Sequence, residues 1–163
     1  MASGKTTIGN ILAGRLDYEF MDLDTMIENE EGMMISEIFN SIGEEEFRII
    51  ENKRLKQLHQ VATRSRIIAL GGGTPCFFDN MDFINNNGQS FYLKLTASEL
   101  LLRLEHNKDN RPLLQNLTSD GMLRYIKEKL AERSAFYEKA DYIIEANRKK
   151  MDVIRSIEDA VIK

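Results

Sequence analysis

Ser3-Gly4-Lys5-Thr6-Thr7-Ile8-Gly9 is the stretch on which the fold is read. Gly4-Lys5-Thr6 matches the end of the G-x-x-x-x-G-K-[ST] phosphate loop, and Ile8, Ile11, Leu12 and Leu16 follow at helical spacing. A helix is therefore expected from near Lys5 to near Asp17. The residue types suit the chemistry. Glycine lets backbone N–H groups close around phosphates, and the helix N-terminus adds the positive end of a dipole. Lys5 would reach the β- and γ-phosphates, and the Thr6 hydroxyl would ligate Mg²⁺. The pattern's first glycine would fall two residues before Met1, with the strand that feeds such a loop before it. Alone, such a tetrapeptide also arises by chance near a terminus; the downstream pattern argues against that.

Outward from the loop, Glu19 to Asp24 alternates polar and apolar residues and predicts a short strand running into a loop. On a strand, Asp22 and Asp24 would share one face, at the carboxyl end where ligands of open α/β sheets gather. One carboxylate could orient Mg²⁺ and the other accept a hydroxyl proton, although a solvated strand end or a helix cap uses the same residues. A short helix is expected over Ile35–Ile42, stopped at Gly43. A longer one runs to about Val61 with Phe47, Ile50, Leu55 and Leu58 on one face. Arg66–Leu70 reads as a buried parallel strand ending in Gly71-Gly72-Gly73, whose bare backbone suits a close-lying ligand or merely a flexible turn. Strands at Phe91–Leu95 and Tyr142–Glu145 follow, with helices over Ala97–Glu105, Gly121–Tyr137 and from Met151. His106–Asp120, polar and Asn-rich, reads as a mobile loop. Strands alternating with helices imply α/β with a parallel sheet, and no repeat or linker divides the chain, so one domain over 1–163 is expected.

The 163 residues carry 22 basic and 26 acidic side chains, a net charge of −4. No concentrated basic face points to nucleic acid, so a bound anion must be held by a local cluster of donors. No apolar run approaches the roughly 18–20 residues that span a bilayer. The lone Cys76 cannot form an internal disulfide, and no signal-peptide core is present; these point to the cytoplasm. Cys76 is expected as a small buried thiol, His59 and His106 as exposed residues without metal-ligand spacing, and Glu44–Glu46 as helix-opening charge. Arg48, Arg111 and Arg133 stand out because arginine forks bind carboxylates and phosphates bidentately; a surface ion pair is the plainer use of each.

In order and spacing, these motifs resemble shikimate kinase across nearly the whole chain. The carriers are Ser-Gly-Lys-Thr-Thr-Ile-Gly at 3–9, Asp22-Leu23-Asp24, Ile38-Phe39, Gly43-Glu44-x-x-Phe47-Arg48-x-x-Glu51, Leu70-Gly71-Gly72-Gly73, Arg111-Pro112-Leu113-Leu114 and Arg133-x-x-x-Tyr137. The resemblance implies a three-layer P-loop kinase fold of the nucleoside-monophosphate-kinase type. Its five-stranded parallel sheet is flanked by helices, the first strand being missing from this sequence. It also implies a substrate-binding region at about 25–55 and a lid at about 107–120. The implied activity is transfer of the γ-phosphate of ATP to the 3-hydroxyl of shikimate, by a monomer using Mg²⁺.

Carried over by the resemblance, Asp24 binds the ring hydroxyls and serves as candidate base, and Asp22 joins Thr6 in the Mg²⁺ shell. Arg48 and Arg133 clamp the carboxylate, and Gly71, Gly72 and Gly73 meet a hydroxyl through the backbone. Ser3, Gly4, Lys5, Thr6 and Thr7 hold the phosphates. Arg111 swings in with the lid, and Arg103 and Arg148 lie on the adenine side. Lys5, Asp24 and Arg111 form the expected catalytic set. Another small-molecule kinase of this fold, such as a gluconate kinase, and a catalytically silent nucleotide-binding module are the rival readings.

Overall fold

The computed structural model describes residues 2–60, 64–106 and 118–162. The chain divides into two compact units, one over Lys5–Gln89 and the other over Ser90–Lys163 together with the residues up to Gly4. Among the described residues there are four strands, in two parallel pairs, where the resemblance implies a five-stranded sheet.

In the Lys5–Gln89 unit, helix α1 (Lys5–Leu16) leads into strand β1 (Glu19–Asp22), which pairs with β2 (Arg66–Ala69) from Glu19↔Arg66 to Asp22↔Ala69. Gly9 lets α1 lie close on this pair: a Cβ there would stand 2.7 Å from the Phe20 ring and 3.4 Å from Ile67 Cγ2.

One expectation fails here. The strand ends at Asp22, and Asp24 belongs to helix α2 (Leu23–Glu31). Asp22 is its N-cap, its carboxylate accepting the Thr25 N–H at 3.4 Å, and Gly32 closes the helix at φ 65°. Capping wins over strand alternation because Leu23 and Ile27, one helical turn apart, are both fully buried. The expected break at Gly43 is present within α3 (Ile35–Gln60), where φ 84° and ψ 170° interrupt two helical segments. Leu23, Ile27, Ile38, Phe47, Leu55 and Leu58 form the core between α2 and α3. After β2 come a single 3₁₀ turn (Thr74–Cys76) and helix α4 (Asn80–Asn87), neither anticipated from the sequence.

In the other unit, β3 (Phe91–Lys94) pairs with β4 (Tyr142–Glu145). Helix α5 (Ala97–Glu105) opens on a capping box between Thr96 and Glu99 and packs against α6 (Ser119–Tyr137), and α7 (Lys150–Val161) closes the chain. Leu93, Leu100, Leu104, Met122, Ile126, Val153 and Ile154 are buried here. The Ser90 backbone N–H and hydroxyl donate to Asp141 Oδ2 at 2.9 and 3.0 Å, while the Asp141 N–H donates to Ser90 Oγ at 2.9 Å. Among the described residues no helix is long and apolar enough to cross a membrane.

Candidate active site

The paired register of β1 and β2 brings their carboxyl ends level, so that Asp22–Asp24 emerges beside Leu70–Gly71. Thr6, on the first turn of α1, donates its hydroxyl to Asp22 Oδ2 at 2.8 Å. Gly4 holds φ 93°, a backbone conformation open to glycine and strained for other residues. Asp24 and Asp22 thus meet the same region from a helix turn and a strand end, rather than from one face of a strand.

Asp24 is half-buried, and its pKa rises from 3.8 to about 6. Burial is the first cause; the charges of Asp22, Glu51 and Glu28 push the same way, and Lys5 opposes them. Lys5 is therefore near enough to act on the Asp24 carboxylate. A Cβ on Gly71 would stand 2.8 Å from Asp24 Oδ1, 3.1 Å from Glu51 Oε1 and 3.1 Å from Thr74 Oγ1. Gly71 is glycine because three oxygen-bearing side chains converge on it.

Arg48 corrects the surface ion-pair reading. It is 7% exposed, and Nη1 donates at 2.8 Å to Glu51 Oε2, a carboxylate with no exposed surface. Nε and Nη2 both donate to Glu44 Oε1, at 3.3 and 2.9 Å, and Glu44 itself is exposed. Burial by itself would lower the Arg48 pKa, but Glu51 and Glu44 hold it above its ordinary value. The rings of Phe39, Phe47 and Phe77 stand 5.6, 5.1 and 4.5 Å from the guanidinium carbon. Gly73 lies against the same group: a Cβ there would fall 2.6 Å from Arg48 Cζ and 2.7 Å from Nη1.

Glu51 carries the rest of the cluster. Its Oε1 accepts the Thr74 hydroxyl at 2.5 Å, the Thr74 N–H donates to Gly71 O, and Asn80 Nδ2 donates to Thr74 O at 2.8 Å. Glu51, Thr74 and Asn80 are all 0% exposed, so this is a buried, internally satisfied network behind the glycine loop. Sequence reasoning quoted Glu51 without a role and missed Thr74, Phe77 and Asn80. The one signal for Glu51 was its place one turn beyond Arg48.

In the other unit, Arg103 donates from Nη1 to Ser3 O at 2.9 Å and from Nη2 to Ala146 O at 2.6 Å. Arg148 donates from Nε to Glu145 O and from Nη2 to Ser156 Oγ, so both arginines hold the connection after β4. Arg133 is half-buried on α6 and makes no ion pair among the described residues. Arg111 and most of the expected lid, 107–117, lie outside the described residues. Thr7 is exposed on α1. Cys76 is half-buried rather than buried, because its turn lies at the edge of the network; His59 and His106 are exposed.

A family model described as shikimate kinase matches residues 1–161. The shikimate kinase of Parabacteroides distasonis is 40% identical over 165 residues, covering 100% of this chain and 94% of its own. The crystal structure of shikimate kinase from Bacteroides thetaiotaomicron superposes with a TM-score of 0.93 at 32% identity, covering 100% of this chain and 94% of that one. The Acinetobacter baumannii shikimate kinase in complex with shikimate superposes with a TM-score of 0.87 at 34% identity, covering 99% of this chain and 88% of that one. By sequence and by fold alike, the chain belongs to the shikimate kinase family.

Proposed function

We propose that the protein transfers the γ-phosphate of ATP to the 3-hydroxyl of shikimate, giving shikimate 3-phosphate and ADP. The observation that carries this reading is the convergence of Asp24, the Arg48–Glu51 pair and Gly71–Gly73 at the level carboxyl ends of β1 and β2. Shikimate is an anion carrying ring hydroxyls, and this site offers a desolvated arginine fork beside a carboxylate and bare backbone. Asp24, with a pKa near 6, is poised to bind the hydroxyl and take its proton near neutral pH. Arg48 and Arg133 receive the carboxylate, and the backbone of Gly71, Gly72 and Gly73 meets a ring hydroxyl. Because the Glu44 contact is exposed, the Nε and Nη2 donors of Arg48 can be taken over by a substrate carboxylate while Glu51 keeps Nη1.

Ser3, Gly4, Lys5, Thr6 and Thr7 hold the phosphates, Arg103 and Arg148 flank the adenine, and Arg111 neutralises charge on the transferring group. The Thr6 hydroxyl and the Asp22 carboxylate, 2.8 Å apart, supply the hard oxygen donors Mg²⁺ prefers. No group of three or more His, Cys, Asp or Glu among the described residues could hold a metal by itself, so nucleotide oxygens and water would complete the shell. When bound, the ion would offset charge on the phosphates. We infer a cytoplasmic monomer with these two small-molecule substrates. Steady-state ADP release with shikimate, gluconate or AMP as acceptor tests the reading. Turnover restricted to shikimate supports it; equal rates with gluconate, or none with any acceptor, refute it.

A further inference from the structure

We propose that Phe77 is a positioning residue for Arg48, and through it a determinant of affinity for the substrate carboxylate. The inference rests on the functional reading above. Phe39 and Phe47 share helix α3 with Arg48, but Phe77 reaches the guanidinium from the segment that follows the glycine loop. Its ring is also the nearest of the three, 4.5 Å from Cζ, well inside the roughly 6 Å over which a ring face attracts a cation.

The segment that carries Phe77 is fixed at both ends. Thr74 donates to the buried Glu51, and Asn80, fully buried at the start of α4, donates to Thr74 O and closes the Asn80 N–H···O Phe77 turn at 3.2 Å. The same short segment therefore touches both Glu51, which pairs with Arg48, and the guanidinium itself. Gly73 leaves the space that the guanidinium occupies against the loop. Rotation of Arg48 out of this slot would abandon the Phe77 face and the Glu51 oxygen together. The slot thus holds the fork in one orientation before any carboxylate arrives, and so reduces the ordering required on binding.

The test compares Phe77→Leu, which keeps apolar bulk but removes the ring face, with Phe77→Tyr, which keeps the face. Phe77→Leu is expected to raise the KM for shikimate by about three- to tenfold, with the KM for ATP unchanged. Phe77→Tyr should restore it to within about twofold of the unaltered protein. Thr74→Val and Thr74→Ser give a second pair that leaves residue 77 intact: Val should raise the shikimate KM and Ser should not. Equal shikimate KM values for the Leu and Tyr variants, or parallel rises in both KM values, would overturn the role of Phe77. Absence of shikimate turnover in the unaltered protein would instead overturn the functional reading on which it stands.

Discussion

Gly73→Ala is the sharpest perturbation the geometry offers. Gly73 sits at φ −89° and ψ −27°, which any residue can adopt, so backbone strain does not explain the glycine. Space does. The added methyl would lie 2.6 Å from Arg48 Cζ, where carbon atoms settle at roughly 3.5–4.0 Å, so the guanidinium must retreat by about 1 Å. Its 2.8 Å bond to Glu51 then stretches past the roughly 3.5 Å at which a hydrogen bond is lost. A charge-assisted bond contributes about 1.5–3 kcal/mol, and complete rupture of a buried pair costs about 3–5, so a loss of about 2–4 kcal/mol is expected. Urea titration should show this as a lower midpoint at unchanged slope. The KM for shikimate should rise about tenfold or more, since Arg48 leaves its place. Gly14→Ala is the control. Nothing lies within 4 Å of the added Cβ there, and relief of helix entropy should stabilise by about 0.5–1 kcal/mol. A Gly73→Ala protein within about 0.5 kcal/mol of the unaltered one, with unchanged KM, would refute the packing argument.

Asp24 has a folded pKa of about 6 against an ordinary 3.8, so its charge opposes folding; the penalty is absent below 3.8 and fully present above about 6. Asp24→Asn should therefore stabilise the protein at pH 8 but not at pH 3.5 while abolishing turnover, and kcat/KM of the unaltered protein for shikimate should fall on the acid side with a midpoint near 6; a flat kcat/KM profile between pH 5 and 8 would dismiss Asp24 as the base. Arg103→Ala removes the bonds to Ser3 O and Ala146 O and should raise the KM for ATP about tenfold with the shikimate KM held; an unchanged ATP KM would remove Arg103 from the nucleotide side. Ser90→Ala breaks the reciprocal pair with Asp141 and should cost about 1–3 kcal/mol in urea titration with both KM values intact; altered kinetics would show that this pair is more than a clasp.

How much of this was legible in the sequence varied with the physical origin of each element. Helices with local signals were read closely: Ala97–Glu105 was bounded correctly, with Thr96 and Glu99 forming its capping box. Strand β4 and the break at Gly43 were likewise found, the second because a residue at φ 84° is usually glycine. Helix α2 was missed although Asp22 and Gly32 mark its ends, because alternation over Glu19–Asp24 was extended two residues too far. Helix α4 carries poor helix formers, Asn85-Asn86-Asn87, and is anchored by the fully buried Asn80, a tertiary fact no local pattern records.

The site divides the same way. Arg48, Asp24 and the triple glycine were singled out by residue type and spacing. What joins them was not visible: Glu51 without exposed surface, Thr74 bonded to it, and Phe77 against the guanidinium arise from segments more than twenty residues apart. Taken alone, Arg48 reads most plainly as a surface ion pair because charge usually is exposed, and only the family resemblance points to a carboxylate clamp; burial beside a buried carboxylate reverses the plain rule.

Transfer to a shikimate hydroxyl can be followed at the phosphorus atom itself, by phosphorus NMR of a reaction with ATP, Mg²⁺ and shikimate. One new phosphate ester on shikimate is expected for each ADP formed, with negligible inorganic phosphate. Inorganic phosphate accumulating with ADP at the same rate with and without shikimate, and no ester, would contradict it.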